Sequence, residues 1–150
     1  MPRKGKQEDE AETYREAARE HVTVAQDLHE AGRYVMSHYL AGLAVECILR
    51  AYLYRLSPVF SGRHDLPVLY RASQLDGVID PADEDYVNAA LVEVSRRWNN
   101  SHRYRSEDAL RLFLRRAGIG RKGKFVRESS RRIANAALVI VNQGVLHWND

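Results

Sequence analysis

Cysteine is all but missing from this chain. The single thiol, Cys47, rules out an internal disulfide and any cysteine-rich zinc site, and it fits a reducing cytoplasm. Long apolar runs are missing too: nothing approaches the roughly 18 to 20 uninterrupted apolar residues of a membrane span. The opening Met1-Pro2-Arg3-Lys4-Gly5-Lys6 lacks the apolar centre of a secretory signal. A cytoplasmic protein without membrane contact is therefore expected. No stretch alternates apolar and polar residues with period two, which argues against strands. There is no Gly-x-Ser-x-Gly elbow for a serine nucleophile and no His-Glu-x-x-His pair for zinc. Hydrolase chemistry of those kinds is not expected, nor is a metal or cofactor.

What is present is helical periodicity. With 45% hydrophobic and 29% charged residues over 150 positions, one globular domain is expected: a disordered basic tail over 1–7 and a single helical domain over 8–150. Ala11, Tyr14, Ala18, Val22, Ala25 and Leu28 recur at threes and fours, predicting a helix from about residue 8 that Gly32 ends. Tyr39, Leu40, Leu43, Ala44, Cys47, Ile48, Ala51 and Tyr52 form a stripe on a second helix over 33–56, broad enough for a central position. On it Glu46 and Arg50 stand four apart, in the favourable order for an ion pair. Residues 57–64 read as a loop. Asp65 then caps a short helix with Pro67 in its first turn. Asp80-Pro81, followed by acids, starts the helix that carries Tyr86, Ala90, Leu91 and Val94 inward toward Arg97. Ser106 caps a helix over 107–117, stopped by Gly118. The last spans Phe125–Leu146 and leaves His147 beside Trp148 as a frayed end. The fold class is all-α, a four- to five-helix up-and-down bundle.

Charge is distributed unevenly. Residues 1–90 hold 10 Lys/Arg against 15 Asp/Glu, whereas residues 91–132 hold 13 against 4. A positive field so concentrated suits a phosphate-bearing partner, RNA or a nucleotide. A solvated face, or a surface that pairs with the acidic half of the same or another subunit, is the plainer reading.

The densest part is Arg96-Arg97-Trp98-Asn99-Asn100-Ser101-His102-Arg103-Tyr104, through which no apolar periodicity runs. Metal-free cleavage of RNA needs a group to move the ribose 2′-hydroxyl proton, and histidine titrates near neutrality. It also needs a fixed cation on the developing phosphorane charge, which an arginine fork supplies. Arg97 and His102, with Arg96 as an alternative arginine, form such a catalytic pair on paper. Asn100 and Ser101 could orient the phosphate or the imidazole. Arg103 and Arg105, and Arg121, Lys122 and Lys124 further along, are candidate phosphate contacts. The plainer reading is that His102 caps a helix end and Arg97 is a surface cation. Trp98 either stacks on a base or closes the core or a dimer seam. Gly118-Ile119-Gly120-Arg121-Lys122-Gly123 spells a dinucleotide-binding pattern, but a helix rather than a strand precedes it, so it reads as a basic interhelical loop. His38, at the edge of the second helix's stripe, reads as a packed residue rather than a ligand.

Three segments carry a family resemblance. Tyr34–Leu56, with Leu43-Ala44-Val45-Glu46 and Leu49-Arg50-Ala51-Tyr52-Leu53, resembles the second helix of HEPN (higher eukaryotes and prokaryotes nucleotide-binding) domains. Arg63-His64-Asp65-Leu66 is similar to that family's x-His-Asp-Leu segment, and Trp98 through Arg103-Tyr104 to its aromatic-then-Arg-Tyr corner. The resemblance implies a helical bundle of HEPN type over roughly 10–145. One branch implies a dimeric, metal-independent, toxin-type endoribonuclease with an Arg-x(4–6)-His motif, leaving a 2′,3′-cyclic phosphate and a 5′-hydroxyl. The other implies a non-catalytic module that binds nucleotides or works with a nucleotidyltransferase or antitoxin. Where the ribonuclease branch places Asn, Asp or His after its arginine, this chain has Trp98 after Arg97, or Arg97 after Arg96. Arg103 and Tyr104 read as anchors of the fold, with the arginine paired to Glu46 and Tyr104 packed inside.

Overall fold

The second helix explains the arrangement. Ala41, Ala44, Val45, Ile48, Leu49 and Ala51 have no exposed surface, so this helix is buried nearly all round and the others pack on it. The computed structural model describes residues 4–57, 62–120, 123 and 125–150. Along the chain these form α1 (Lys4–Glu30), α2 (Tyr34–Leu56), α3 (Leu66–Ser73), α4 (Glu84–Arg97), α5 (Glu107–Arg116) and α6 (Phe125–Leu146), with short 3-10 turns at Leu75–Gly77, Pro81–Asp83 and Asn100–Tyr104. No strand occurs among the described residues, and the all-α bundle holds: four long helices with two short ones between them.

Helix α1 lies along α2 through Ala11, Ala18, Val22 and Ala25, small side chains that let two backbones approach closely. Helix α6 packs on α1, α2 and α4 through Ile133, Ala137, Ile140 and Val141. Two tandem serines pin its start: His38 Nε2 meets Ser129 Oγ at 2.8 Å, and His29 Nδ1 meets Ser130 Oγ at 2.8 Å. A second, smaller core of Leu110, Leu114, Ile119, Phe125 and Val126 joins α5 to the start of α6.

The caps follow the sequence. Asp65 accepts from the Val68 amide at 3.1 Å, Asp80 from Ala82 at 2.9 Å, and Ser106 from Ala109 at 3.2 Å. Asp80 caps the 3-10 turn, so α4 itself starts at Glu84. Gly32 and Gly118 follow α1 and α5 with φ of 76° and 76°, the left-handed conformation that favours glycine.

Both chain ends differ from expectation. Helix α1 begins at Lys4 rather than near residue 8, because Gln7 donates to the Tyr54 carbonyl at 2.6 Å and Glu8 pairs with Arg55 at 2.7 Å. Residues 1–3 lie outside the described part. His147 is not a frayed end: its Nδ1 meets Asp150 Oδ2 at 2.5 Å, and Trp148 beside it is 2% exposed, enclosed by partners far away in sequence.

Gly42 faces Trp98 so closely that a Cβ there would lie 2.1 Å from the indole ring. Trp98 is itself buried and donates Nε1–H to the Tyr39 carbonyl at 3.1 Å, so the ring has nowhere to retreat. Gly42→Ala is expected to destabilise the domain by about 2–3 kcal/mol, despite alanine's better helix propensity. A urea titration showing no loss would mean that the indole can move aside.

Candidate functional site

Helix α4 ends at Arg97, Trp98 turns the chain into extended backbone, and Asn99 caps the following 3-10 turn. Asn99 Oδ1 accepts from the Ser101 amide at 2.9 Å and from its hydroxyl at 2.7 Å. In return, His102 Nδ1 accepts from the Asn99 amide at 3.3 Å, a reciprocal cap. The turn therefore aims His102 inward. It is completely buried, edge-on to Phe113 at 4.7 Å and to His38 at 6.2 Å. Burial, with smaller contributions from His38 and Arg105, lowers its pKa to about 3. A neutral imidazole accepting at Nδ1 carries its proton on Nε2, and that nitrogen has no partner among the described residues.

Arg97 is enclosed as well, at 4% exposure. Its guanidinium pairs with the Glu93 carboxylate one turn back and donates to the Glu93 carbonyl at 3.3 Å. Its Nε is unpartnered among the described residues. Burial pulls its pKa down, against the pull of Glu93. Glu93 also lines a groove of about 510 Å³ between α4 and α6, together with Tyr86, Ala89, Arg132, Leu138 and Val139.

Behind this corner, His38 donates Nδ1–H to the Tyr34 carbonyl at 2.7 Å and accepts the Ser129 hydroxyl at 2.8 Å on Nε2. Burial lowers its pKa to about 4. It is the packed, hydrogen-bonded residue the sequence suggests. Burial pushes the Cys47 thiol up to about 12, far from the thiolate a nucleophile needs. As they stand, Arg97 and His102 do not open into a common cleft: both are behind the surface, and neither touches solvent enough to meet a phosphate.

The other members of the stretch divide between surface and interior. Arg96, Arg103 and Tyr104 are exposed, while Asn100, Ser101 and Arg105 are half-buried. Arg105 donates to Ser101 Oγ at 3.2 Å and lies 5.3 Å over the Phe113 ring. Arg121, Lys122 and Lys124 lie outside the described residues. Gly118 and Gly120 follow helix α5, not a strand, so the dinucleotide pattern has no structural counterpart here.

The anchor expected of Glu46, Arg103 and Tyr104 is corrected. Tyr104 is 79% exposed, with the Arg103 guanidinium 4.6 Å over its ring. Glu46 is buried but belongs to another set. Arg50 donates to its Oε2 at 3.1 Å, the intrahelical pair expected, and His64 meets its Oε1 at 2.6 Å. The reason is geometric. Residues eclipse every three positions in a 3-10 turn, so with His102 inward, Arg103 and Tyr104 point away while Arg105 returns to the surface of the core. The Glu46–His64 contact was not foreseen, although His64 stands in a segment the sequence singles out, because the two residues are 18 positions apart, a separation that local spacing does not register.

An all-α bundle with a cationic corner at the end of α4 is thus the class of protein defined. A family model described as HEPN domain matches residues 11–118, from within α1 to just past the end of α5, and the chain belongs to the HEPN domain family. That family membership supports a nucleotide- or RNA-related function. No curated protein and no solved structure matches the chain. No helix among the described residues is long and apolar enough to cross a membrane.

Proposed function

We propose that this HEPN domain binds single-stranded RNA through the exposed arginines around the end of α4, the following turn, α5 and the start of α6. One observation carries the reading. Arg96, Arg103, Arg115, Arg116 and Arg127 are exposed, and none is within ion-pair distance of a carboxylate among the described residues. Arg111, Arg131 and Arg132 on the same elements are paired. On the acidic half Arg15, Arg19 and Arg55 are paired, while exposed Arg33 and Arg71 have no carboxylate within ion-pair distance among the described residues. Cations left without carboxylates and spread over several elements suit a phosphate chain better than one nucleotide in one pocket. Exposed Tyr104 beside Arg103 adds a face on which a base can stack. On this reading Arg97 and His102 hold the corner together, and cleavage by that pair requires the corner to open.

The test is binding of a fluorescent single-stranded RNA followed over a range of salt. Affinity should fall steeply with ionic strength, and Arg96→Ala and Arg103→Ala should each reduce the logarithmic salt slope by about 0.7 to 1. Salt-insensitive binding, or none at low salt, rules the reading out. A second reading, self-association or docking of a partner such as a nucleotidyltransferase-type antitoxin, is favoured by the α4–α6 groove with exposed Tyr86 and Val92 on α4. Sedimentation of the protein alone at several concentrations reports on the first of these.

A further inference from the structure

The mid-helix position of Glu46 is expensive for a carboxylate. It is 6% exposed, surrounded along α2 by Val45, Cys47, Ile48 and Leu49, and burying a charge there is costly unless it is paired and hydrogen-bonded. Arg50 supplies one partner. The second, His64, is brought back by backbone that is itself costly: Gly62 and Arg63 have φ of 53° and 49°, and arginine enters that region at a cost of about 1 kcal/mol or more. The Arg63 carbonyl accepts from the Arg50 guanidinium, which ties the bend to the same carboxylate. Holding Glu46 needs no more than an amide or hydroxyl. The chain places an imidazole there instead, with Nδ1 on Glu46 and its side chain 50% exposed.

A carboxylate that accepts Nδ1–H sets the tautomer and leaves the Nε2 lone pair free to take a proton. The ring also stands edge-on to Trp98 at 6.4 Å, a residue between the end of α4 at Arg97 and the Asn100–Tyr104 turn. His64 is thus an oriented acid–base group at the surface of the corner at which His102 is enclosed.

We propose that Glu46 and His64 form a proton-transfer dyad acting on RNA bound at this corner, with His64 Nε2 as the general base and Glu46 as the positioning residue. The inference rests on the RNA-binding reading above. His64 removes the proton from a ribose 2′-hydroxyl, and the 2′-oxygen forms a bond to the adjacent phosphorus as the bond from phosphorus to the 5′-oxygen breaks. The 5′-oxygen takes a proton from water, and the hydroxide left behind is neutralised by the proton on His64. The products are a 2′,3′-cyclic phosphate and a 5′-hydroxyl.

The experiment uses the full chain with single-stranded RNA in excess EDTA, with cleavage and binding measured separately. Wild type is expected to cleave. His64→Asn, which keeps an amide donor for Glu46, should lose about 100-fold or more in rate with binding changed less than about twofold, and added imidazole should restore part of the rate to His64→Ala. Glu46→Gln should lower kcat and leave KM alone. Wild type that binds but leaves RNA intact, or His64→Asn that cleaves like wild type, overturns the dyad and spares the binding reading. RNA that does not bind removes both. Independently of activity, long-range ¹⁵N–¹H spectra of the wild type should show His64 as the Nδ1–H tautomer, and the Nε2–H tautomer contradicts the geometry.

Discussion

Trp148→Ala should cost about 3–5 kcal/mol, the range for removing a large buried aromatic, although the residue is third from the last position of the sequence. The indole is held on every side by elements far from it in the chain. Tyr52 of α2 meets it edge-on at 5.1 Å, and the Arg55 guanidinium lies 3.3 Å over its ring. Its Nε1–H donates to Glu12 of α1 at 2.7 Å, while Arg55 also donates to its backbone carbonyl at 2.7 Å. Removing the ring leaves a cavity where α1, α2 and the end of α6 meet, and exposes Tyr52 and the stem of Arg55. Arg55→Ala should cost less, about 1–2 kcal/mol, since it removes the cation–π contact and the carbonyl bond but leaves the ring in place. Urea midpoints at constant slope measure both. A Trp148→Ala loss below about 1 kcal/mol would show that the last residues do not hold the bundle together.

Acid should unfold this domain earlier than its carboxylates alone require. His38 and His102 are buried in their neutral forms, with pKa values lowered to about 4 and about 3. In the unfolded chain both titrate near 6.5, so between that value and their folded values the unfolded state binds more protons and stability rises with pH. Their contribution is complete above about pH 6.5 and is lost as pH falls toward 4 for His38 and toward 3 for His102. By pH 4 each costs about 3 kcal/mol, together a large part of an ordinary domain's total stability. Stability from urea titrations at pH 7.5, 6, 5 and 4 should drop with a slope approaching about 2.7 kcal/mol per pH unit between 6 and 4. His38→Gln, whose amide can donate to the Tyr34 carbonyl and accept from Ser129, should halve that slope. A flat profile over this range would mean that one or both imidazoles reach solvent.

Much of the fold was legible because it is local. The α2 stripe, the Asp65, Asp80 and Ser106 caps, and the glycines after α1 and α5 are written in spacings of three or four residues. The Glu46–Arg50 pair was legible for the same reason, being one helical turn apart. The end at His147 was misread as frayed because nothing near it in sequence indicates that Arg55, Tyr52 and Glu12 converge on the neighbouring Trp148. The candidate site was legible as a composition, a run of cations and aromatics, but not as an arrangement.

For the corner at 96–104 the division is clear. The amino-acid sequence by itself determined that a helix ends near Arg97, that a turn follows, and that the positive charge gathers there, since propensity, capping and charge count depend only on neighbouring residues. Only the tertiary structure decided which side chains that turn sends inward. Phe113, His38 and the floor of α2 accept His102, and a three-residue helical repeat then commits Tyr104 to solvent. The same packing decided that Glu46 meets His64 rather than Arg103, because burial couples residues by distance in space, which local pattern does not encode.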